Sequence, residues 1–366
     1  ELALVMCSKC NLVQLNNNFN LKYLYGPDYG YRTGINKTMT EHMRSIVSNV
    51  NKIVNLKKND AVLDIASNDG TLLNFYSKTF FRVGIDPTIK KFRKYYNEIN
   101  IKIPDFFSKK LIRKKTKKNF KVITALSVFY DIENPNYFLK DVHELLDDDG
   151  IFILEQADLL SIIKLKMFDT ICHEHLEYYS HNVIIKLLEK NNLKLFDFKF
   201  NDINGGSTQY YICKDKNTKI KVRKNKIMKM LNNEKKFRLD DVKTYKKFFI
   251  EIQSVKKKLN KFIKKIKSEN KVIHGYGAST KGNVLLQYFN INKNHIDCIS
   301  DRNPKKNGFY TPNTKIKIVS ELYSRKINPD YYLVLPWHFK KEILQREKKQ
   351  RRYSKFIFPL PNLEIY

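Results

Sequence analysis

Short apolar segments alternate with amphipathic segments through the first half of the chain. The apolar segments have the length of buried strands, and the amphipathic ones repeat at three and four residues, as helices do. Strands are predicted at 61–65, 81–86, 121–126 and 150–156, and helices over 38–57, from about 71, near 89–97 and near 136–146. Strands that alternate with helices pair in parallel, so this half is predicted to be an α/β domain.

A long amphipathic helix is predicted over 239–268, with lysine on most of its polar face. Such a helix can lie on a membrane surface, but docking against a neighbouring domain is the favoured interpretation. Its apolar positions are spaced by three and four residues: Tyr245, Phe248, Phe249, Ile252, Val255, Leu259, Phe262, Ile263 and Ile266.

A second α/β unit follows this helix. Residues 271–274 are predicted to form a strand, residues 275–283 contain a glycine turn, and a helix starts at Val284. Further strands are expected near 296–300 and 331–335. The chain is therefore predicted to contain two nucleotide-fold-like units joined by a helical linker.

The size of the chain agrees with this division. Its 366 residues, 42% of them hydrophobic, can bury two cores and leave a small appendage. No run of 18 apolar residues occurs, which argues against a membrane-spanning helix. The sequence starts at Glu1 without a leader, so we expect that it is clipped at its amino end.

The formal net charge of +32 raises the question of a nucleic-acid partner. The lysines are spread along the whole chain instead of forming one patch, so no specific nucleic-acid partner is expected. The same positive field would attract a small anionic substrate. The five cysteines are an odd number without the spacing of a disulfide framework, which fits a reducing cytoplasm.

Polar residues end three successive strands of the first unit. Ligands of parallel α/β sheets bind at this carboxyl edge, where Asp86 is suited to ribose hydroxyls and Asp105-Phe106 to adenine. The turn after Asp64 lacks the Gly-x-Gly-x-x-Gly pattern of dinucleotide sites, so the ordered set favours S-adenosylmethionine. The residues expected at this cofactor are Asp64, Ala66, Asn68, Gly70, Asp86, Asp105 and Phe106.

Seven motifs in a fixed order extend over almost the whole chain. They are Cys7-x-x-Cys10 with Leu12-Val-Gln14-Leu15; Tyr29-x-Tyr31-x-Thr-Gly; Asp64-Ile-Ala-Ser-Asn-Asp-Gly70-Thr-Leu-Leu; Phe168-Asp-Thr-Ile-Cys172-His173-Glu174-His175-Leu-Glu-Tyr178; Asn204-Gly-Gly-Ser207; Gly275-Tyr-Gly-Ala-x-x-Lys281-Gly-Asn283; and Asp301-Arg-Asn-Pro304. In these motifs the chain resembles the sugar C-methyltransferase family, whose members methylate a carbon of nucleotide-linked deoxysugars.

The resemblance implies three domains. Residues 1–37 would be the remnant of a zinc-binding amino-terminal domain, and residues 38–198 a Rossmann-like methyltransferase domain that binds S-adenosylmethionine. Residues 199–366 would form a second Rossmann-like, substrate-binding domain with a helical linker at about 223–268.

The chain departs from the family at three positions. The family's zinc site uses two cysteine pairs, and only Cys7 and Cys10 are present. Two thiolates cannot complete a tetrahedral zinc site, so structural zinc is expected only in a longer form of the protein. Ala66 replaces a frequent glycine of the cofactor loop, and Cys172 stands where some members have an active-site tyrosine.

The resemblance also assigns catalytic residues. His175 would be the base that removes a proton beside a ketone, and histidine titrates near neutral pH. Glu174 would orient or polarise it, and His173 would support the site from behind. Tyr29, Tyr31 and Tyr178 would close the sugar pocket and donate to the enolate oxygen. A metal site at His173-Glu174-His175 and an ordinary polar loop are the alternatives.

The carboxyl-terminal unit has its own glycine turn. Gly275 and Gly277 precede a helix that contains Lys281, an arrangement suited to the diphosphate of the substrate. A purely structural turn is an open alternative, and NAD is less favoured because an acidic residue is not well placed about twenty positions later. Gly205 and Gly206 are expected to give backbone contacts to the substrate, although a plain tight turn explains them equally well.

Three functions remain open at this point. A C-methyltransferase of a nucleotide-linked keto-sugar is favoured over an O-methyltransferase of a sugar or other small acceptor, and over a non-catalytic sugar-nucleotide binding protein. A nucleic-acid amino-methyltransferase would be expected to have Asn/Asp-Pro-Pro-Tyr/Phe after the fourth strand, whereas Ser127-Val-Phe-Tyr130-Asp131 stands there. The sugar, its nucleotide and the oligomeric state are not specified by the sequence.

Overall fold

The computed structural model describes residues 2–26 and 29–366. Glu1, on which the expectation of a clipped amino end is based, lies outside these ranges, as do Pro27 and Asp28 between Tyr25 and Tyr29. The contacts divide the chain into two compact units. The first contains the described residues up to Leu159 together with His173–Phe237, and the second contains Leu160–Cys172 and Arg238–Tyr366.

The strands and helices are numbered in chain order. The strands are β1 Leu4–Met6, β2 Val13–Leu15, β3 Ala61–Ile65, β4 Phe81–Ile85, β5 Ile101–Ile103, β6 Phe120–Leu126, β7 Leu146–Ala157, β8 Glu177–Tyr178, β9 Leu193–Asn201, β10 Ser207–Lys214, β11 Ile273–Tyr276, β12 Cys298–Asp301, β13 Ile318–Ser320, β14 Tyr331–Val334, β15 Lys355–Phe358 and β16 Glu364–Ile365. The helices are α1 Leu21–Leu24, α2 Lys37–Ile53, α3 Thr71–Asn74, α4 Ile89–Phe92, α5 Lys109–Lys115, α6 Pro135–Leu145, α7 Leu159–Lys164, α8 His181–Lys190, α9 Lys224–Lys235, α10 Val242–Ser268, α11 Thr280–Tyr288, α12 Glu321–Ile327 and α13 Lys340–Arg346.

The first unit is built on a seven-stranded sheet with the order β5-β4-β3-β6-β7-β10-β9. The first five strands are parallel, and β10 runs antiparallel to both of its neighbours. All five residues of β3 are buried, as expected for a central strand with apolar cores on both faces. The predicted strands and their alternation with helices are confirmed.

Two predicted helices are each only four residues long in the structure. The one starting at 71 ends at Asn74, and the one predicted near 89–97 ends at Phe92, followed by a 3₁₀ turn over Arg93–Tyr95. Tyr96 follows this 3₁₀ turn and is buried, and its hydroxyl donates a hydrogen bond to Asn68 O at 2.9 Å.

The amino-terminal segment joins a second, three-stranded sheet with the order β1-β2-β8. Val13 is paired with Tyr178 and Gln14 with Glu177. Strand β8 begins two residues after His175, so residues expected in an amino-terminal remnant share a sheet with the residues after the His-Glu-His motif.

The boundary expected after residue 198 does not coincide with the boundary between the compact units. Strand β10 completes the first sheet by pairing with both β7 and β9, which keeps residues 199–237 in the first unit. Glu234 of α9 further ties this segment to α8, because its carboxylate accepts hydrogen bonds from the backbone N–H groups of His181 at 2.6 Å and Asn182 at 3.0 Å. The first unit therefore ends at Phe237, inside the expected linker.

The second unit is a six-stranded sheet with the order β13-β12-β11-β14-β15-β16, in which only β16 is antiparallel to its neighbour. Counted along the unit, this order is 3-2-1-4-5-6, that of dinucleotide-binding domains. The predicted second Rossmann-like unit is confirmed.

Helix α10 packs within the second unit, whereas it was expected to be a linker that docks against a neighbouring domain. It begins after Asp241, whose side chain accepts a hydrogen bond from Lys243 N. Asn260 and Lys256 donate to the carbonyls of Phe289 and Tyr288 at the end of α11. Within residues 2–26 and 29–366, no helix has the length and apolar character needed to cross a membrane.

Candidate active site

The turn after β3 has the backbone geometry of a ligand-binding loop. Ala66, Asn68 and Gly70 have positive φ angles of 58°, 48° and 75°. Such angles are uncommon for residues other than glycine, and they cluster at functional sites. The amide of Ala66 donates to the carbonyl of Ile85 at 2.9 Å, so the turn is tied to the end of β4.

Asp86 lies against this turn at the end of β4. Its Oδ2 accepts a hydrogen bond from Asn68 N at 2.9 Å, and its Oδ1 accepts from Thr88 N at 2.6 Å and Thr88 Oγ1 at 2.5 Å. Burial raises the pKa of Asp86, and the hydrogen bonds from Thr88 and Asn68 oppose this rise. A carboxylate has about four lone-pair positions, so Asp86 can accept a ribose hydroxyl beside its protein donors.

Asp64 has a different environment from Asp86. It is 4% exposed, and its Oδ1 accepts a hydrogen bond from Thr124 Oγ1 of β6 at 2.5 Å. Burial raises the pKa of Asp64 to about 7, despite the opposing hydrogen bond from Thr124. In the described structure Asp64 therefore ties β3 to β6.

Asp105 and Phe106 follow β5 at the edge of the sheet. Asp105 is exposed, and its carboxylate accepts a hydrogen bond from Phe106 N at 2.8 Å. Phe106 is half-buried. Both residues lie at the carboxyl ends of the parallel strands, the edge that also bears Asp86 and the turn after β3.

Tyr96 packs against the turn after β3, and the sequence interpretation did not include it in the site. Its hydroxyl donates to Asn68 O at 2.9 Å and lies 2.8 Å from Ser67 Oγ. Its ring lies so close to Gly70 that a Cβ there would be 2.9 Å from ring carbon Cδ1. A tyrosine after a short helix gives no local sign of this role.

The segment with the expected base is held by the turn after β6. The ring of His175 contacts Tyr130 edge-on, with centroids 4.4 Å apart, and Leu176 N donates to Tyr130 O at 2.8 Å. Tyr178 donates its hydroxyl to the carbonyl of His175 at 3.1 Å. Because Tyr130 lies in the 3₁₀ turn Phe129–Asp131, which begins three residues after the end of β6, it holds His175 near the carboxyl edge of the sheet.

His173 and Tyr29, two further residues of the expected catalytic set, contact different parts of the chain. His173 is exposed, and its ring packs on Phe19 with centroids 4.4 Å apart. Tyr29 is half-buried, and burial followed by the charges of Glu174 and Asp131 raises the pKa of its hydroxyl. Tyr29 thus lies in the electrostatic range of Glu174, whereas His173 faces the amino-terminal segment.

Tyr31 lies beside the cofactor turn. It is 46% exposed, and its carbonyl accepts a hydrogen bond from Asn68 Nδ2 at 3.2 Å. The next residues continue this contact, because Thr33 N donates to Asn68 Oδ1 at 2.9 Å. The segment that follows Tyr29 is therefore attached to the turn after β3.

Tyr25 and Asp131 are two further residues of this region that the sequence interpretation missed. Tyr25 donates its hydroxyl to Asp131 Oδ2 at 2.7 Å, and its ring packs on Tyr29 with centroids 5.0 Å apart. The available signal was the position of Asp131 after the fourth strand, together with a third tyrosine just before Tyr29.

Gly205 and Gly206 belong to the first unit, at the start of β10. Their φ angles are 96° and 135°, which favour glycine. Asn204 donates from Nδ2 to Ser127 Oγ at 3.3 Å, and Ser127 follows β6. The Asn-Gly-Gly turn therefore lies at the same sheet edge as the segment with His175.

Of the two glycines expected in the turn of the second unit, only Gly277 lies in the turn. Gly275 lies inside β11, where a Cβ would be 2.7 Å from Ile299 Cγ1. Gly277 has a φ of 81°, and the next amide, that of Ala278, donates to Asp301 Oδ2 at 2.7 Å. Gly275 therefore allows close packing, and Gly277 forms the turn itself.

Lys281 lies in the first turn of α11. Burial lowers the pKa of its ammonium group, and the charges of Asp169 and Cys172 oppose this effect. Asp169 in turn accepts a hydrogen bond from Trp337 Nε1 at 2.8 Å. Lys281 thus follows Gly277 by one helical turn and lies near the buried carboxylate of Asp169 in the same unit.

Cys7 and Cys10 lie in the loop between β1 and β2. Hydrogen bonds from the backbone of Cys10 and Lys9 lower the pKa of the Cys7 thiol. Across the described ranges, no His, Cys, Asp or Glu side chain joins the two thiols in a three-ligand cluster. These residues therefore do not fit a closed zinc site.

The donor set of the first unit fits S-adenosylmethionine. Asp86 offers a carboxylate to ribose hydroxyls, and the turn after β3 offers backbone groups at positive φ angles. Residues 37–197 match the family model described as a methyltransferase domain. Residues 202–361 match the C-methyltransferase C-terminal domain. The protein is an S-adenosylmethionine-dependent methyltransferase.

Among curated proteins, the chain is similar to the C-methyltransferase NovU of Streptomyces niveus. The two are 28% identical over 369 residues, which cover 100% of this chain and 87% of that protein. The two family matches meet between residues 197 and 202, close to the expected domain boundary. The comparison therefore extends over both units.

Two solved methyltransferase structures are also similar to the chain. An S-adenosylmethionine-dependent methyltransferase from Clostridium acetobutylicum is 15% identical, with a TM-score of 0.37 over 47% of this chain and 89% of that one. Magnesium protoporphyrin IX methyltransferase from Synechocystis, with bound SAH, is 15% identical, with a TM-score of 0.38 over 53% of this chain and 92% of that one.

Proposed function

We propose that the protein methylates a carbon of a nucleotide-linked keto-sugar, with His175 as the general base. The observation on which this proposal rests is the hydrogen bond from Leu176 N to Tyr130 O at 2.8 Å, with the His175 ring packed on Tyr130. Strand β6, which precedes Tyr130, is the direct neighbour of β3, which precedes the cofactor turn. The base His175 and the bound methyl donor would then lie at the same edge of one sheet.

The reaction needs a nucleophilic carbon. His175 takes the proton from the carbon next to the ketone, and the electron pair of the C–H bond becomes that of an enolate. Tyr29 donates a hydrogen bond to the enolate oxygen, where negative charge develops. When bound, S-adenosylmethionine supplies a methyl group on a positively charged sulfur. The enolate carbon would bond to this methyl group, and the electron pair of the broken carbon–sulfur bond would stay on the neutral sulfur.

Other residues would bind the rest of the substrate. Gly277 and Lys281 are suited to a diphosphate, because the turn precedes a nine-residue helix and the Lys281 ammonium group is a hydrogen-bond donor in its first turn. Gly205 and Gly206 would offer backbone groups, since their positive φ angles turn the chain at the sheet edge. A small anionic substrate also agrees with the net charge of +32.

The experiment is methyl transfer from ¹³C-methyl-labelled S-adenosylmethionine to thymidine and uridine diphosphate 4-keto-6-deoxyhexoses, with the label located by NMR. The wild-type protein is expected to label a ring carbon next to the ketone. His175→Ala is expected to abolish transfer, while calorimetry finds the cofactor affinity within a few fold of the wild type. His295→Ala in the second unit is the matched control and is expected to keep activity.

Two results would contradict the proposal. Label on a sugar oxygen would identify an O-methyltransferase, because oxygen transfer needs no enolate. Undiminished carbon methylation by His175→Ala would show that another group is the base.

A further inference from the structure

A buried carboxylate lies beside the catalytic segment without a role in the reaction described above. Asp131 ends the 3₁₀ turn Phe129–Asp131 after β6 and is 4% exposed. The hydroxyl of Tyr25, 106 residues earlier in the chain, donates to its Oδ2 at 2.7 Å. A hydrogen bond to an ionised carboxylate is about twice as strong as one between neutral groups.

This pair is connected to the residues of the proposed reaction on two sides. On one side, the Tyr25 ring packs on Tyr29 at 5.0 Å between centroids and 54° between planes. On the other side, Tyr130, which precedes Asp131 in the turn, contacts the His175 ring and accepts the hydrogen bond from Leu176 N. One short turn therefore contacts both the segment of the base and the tyrosine partner of Tyr29.

Packing alone gives no reason for a charge at this position. Burying a carboxylate costs free energy unless hydrogen bonds compensate for the lost water, and an apolar residue would fill the space without that cost. The charge also acts on the site, because Asp131 and Glu174 both raise the pKa of Tyr29, after burial as the main cause. The charge of Asp131 therefore adds to the effects of burial and of Glu174, all of which favour the protonated, hydrogen-bond-donating form of Tyr29.

We infer that Tyr25 and Asp131 form a positioning pair for methyl transfer, acting through Tyr29 and through the turn beside His175. The inference rests on the proposed function. Neither residue needs to touch the substrate, because the pair fixes the direction of the Tyr29 hydroxyl relative to the enolate oxygen. Loss of either partner should slow proton removal and leave cofactor binding intact.

The test compares wild type, Tyr25→Phe, Asp131→Asn and the double variant, using a thymidine diphosphate 4-keto-6-deoxyhexose. Two rates are measured: methyl transfer, and exchange with deuterium oxide of the proton beside the ketone. Each single variant is expected to lower both rates about tenfold, with the affinity for S-adenosylmethionine within twofold. The double variant is expected to be no slower than the slower single variant, because the two residues act as one unit.

Tyr366→Phe is the matched control. It also removes a hydrogen bond from a tyrosine to a carboxylate, that of Glu364 in the second unit at 2.6 Å, and its rates are expected to equal those of the wild type. Single variants within twofold of the wild type would overturn the inference, and so would additive losses in the double variant. An equal loss of cofactor affinity would also overturn it, because the pair would then support the fold.

These outcomes are distinct from a failure of the proposed function. In that case the wild-type protein itself would give neither proton exchange nor a carbon-methylated product with any member of the substrate panel.

Discussion

Arg32 forms an ion pair with Asp69, with 3.2 Å between Nη1 and Oδ2, and this pair joins the tyrosine segment to the cofactor turn. The Asp69 carboxylate also accepts a hydrogen bond from Gly34 N at 3.0 Å, and the Arg32 guanidinium lies 4.1 Å from the centroid of the Tyr95 ring. Because Tyr31 directly precedes Arg32 and Tyr29 lies two residues before Tyr31, this ion pair links the segment with the expected substrate tyrosines to the cofactor turn.

Arg32→Ala is expected to weaken S-adenosylmethionine binding and lower kcat, each by about three- to tenfold, because the turn and the tyrosines lose a common contact. Calorimetry and the labelled-methyl assay measure the two effects. Arg44→Ala is the matched control, since Arg44 forms an exposed ion pair with Glu41 at 3.3 Å and such pairs contribute little. An effect on kcat without any effect on affinity would contradict the link between the two elements.

Asp86→Ala is expected to weaken S-adenosylmethionine binding by about tenfold or more, because the ribose loses an acceptor and Asn68 N loses its partner. Calorimetry gives the affinity, and thermal unfolding without ligand shows whether the fold is kept. Asp147→Ala, at the start of β7 on the opposite edge of the sheet, removes an ion pair with Lys121 and is expected to leave the affinity unchanged. Equal affinities for Asp86→Ala and wild type would remove Asp86 from the ribose site.

Tyr96→Phe tests the support beneath the turn. The ring stays in place under Gly70 while the hydrogen bonds to Asn68 O and Ser67 Oγ are lost, so cofactor affinity is expected to fall about fivefold. Tyr76→Phe is the matched control. Tyr76 is also buried, and its hydroxyl has no hydrogen-bond partner in residues 2–26 and 29–366, so its removal is expected to leave affinity unchanged. Similar affinities for both variants would count against a role for the Tyr96 hydroxyl.

The sheet of the first unit could be predicted because its signals are local. Strand β3 is apolar on both faces apart from Asp64, and the turn, Asp86 and Asp105 follow successive strands in sequence order. The membership of β10 in the same sheet could not be predicted, because the Asn-Gly-Gly turn before it is equally typical of a domain junction. Only the pairing of β10 with β7 and β9 shows that the first unit continues to Phe237.

One contact of the site likewise joins residues that are far apart in the sequence. Tyr25 and Asp131 are 106 residues apart, and nothing in either local sequence indicates that their side chains meet. Gly275 shows the opposite case, since a glycine typical of a ligand turn lies within a strand and makes room for Ile299. Sequence spacing identified the chemistry of the cofactor turn, whereas contacts between distant segments required the folded chain.

Glu177 gives a prediction about the pH dependence of stability. It is 6% exposed in β8, and burial followed by the charge of Glu133 raises its pKa from the ordinary value of 4.5 to about 8. Between these two values the folded protein keeps a proton that the unfolded chain releases, so this group lowers the free energy of unfolding as the pH rises from 4.5 to 8. Glutamine does not titrate, so a Glu177→Gln variant lacks this pH-dependent contribution to the free energy of unfolding.

The stability of Glu177→Gln relative to the wild type is therefore expected to increase steadily between pH 5 and pH 8. Urea unfolding of both proteins at pH 5, 6, 7 and 8 measures this difference. Glu98→Gln is the control, because Glu98 is exposed and pairs with Lys78, which lowers its pKa; its relative stability should change little over the same range. A difference between Glu177→Gln and wild type that is constant with pH would mean that Glu177 is already ionised in the folded protein at pH 5.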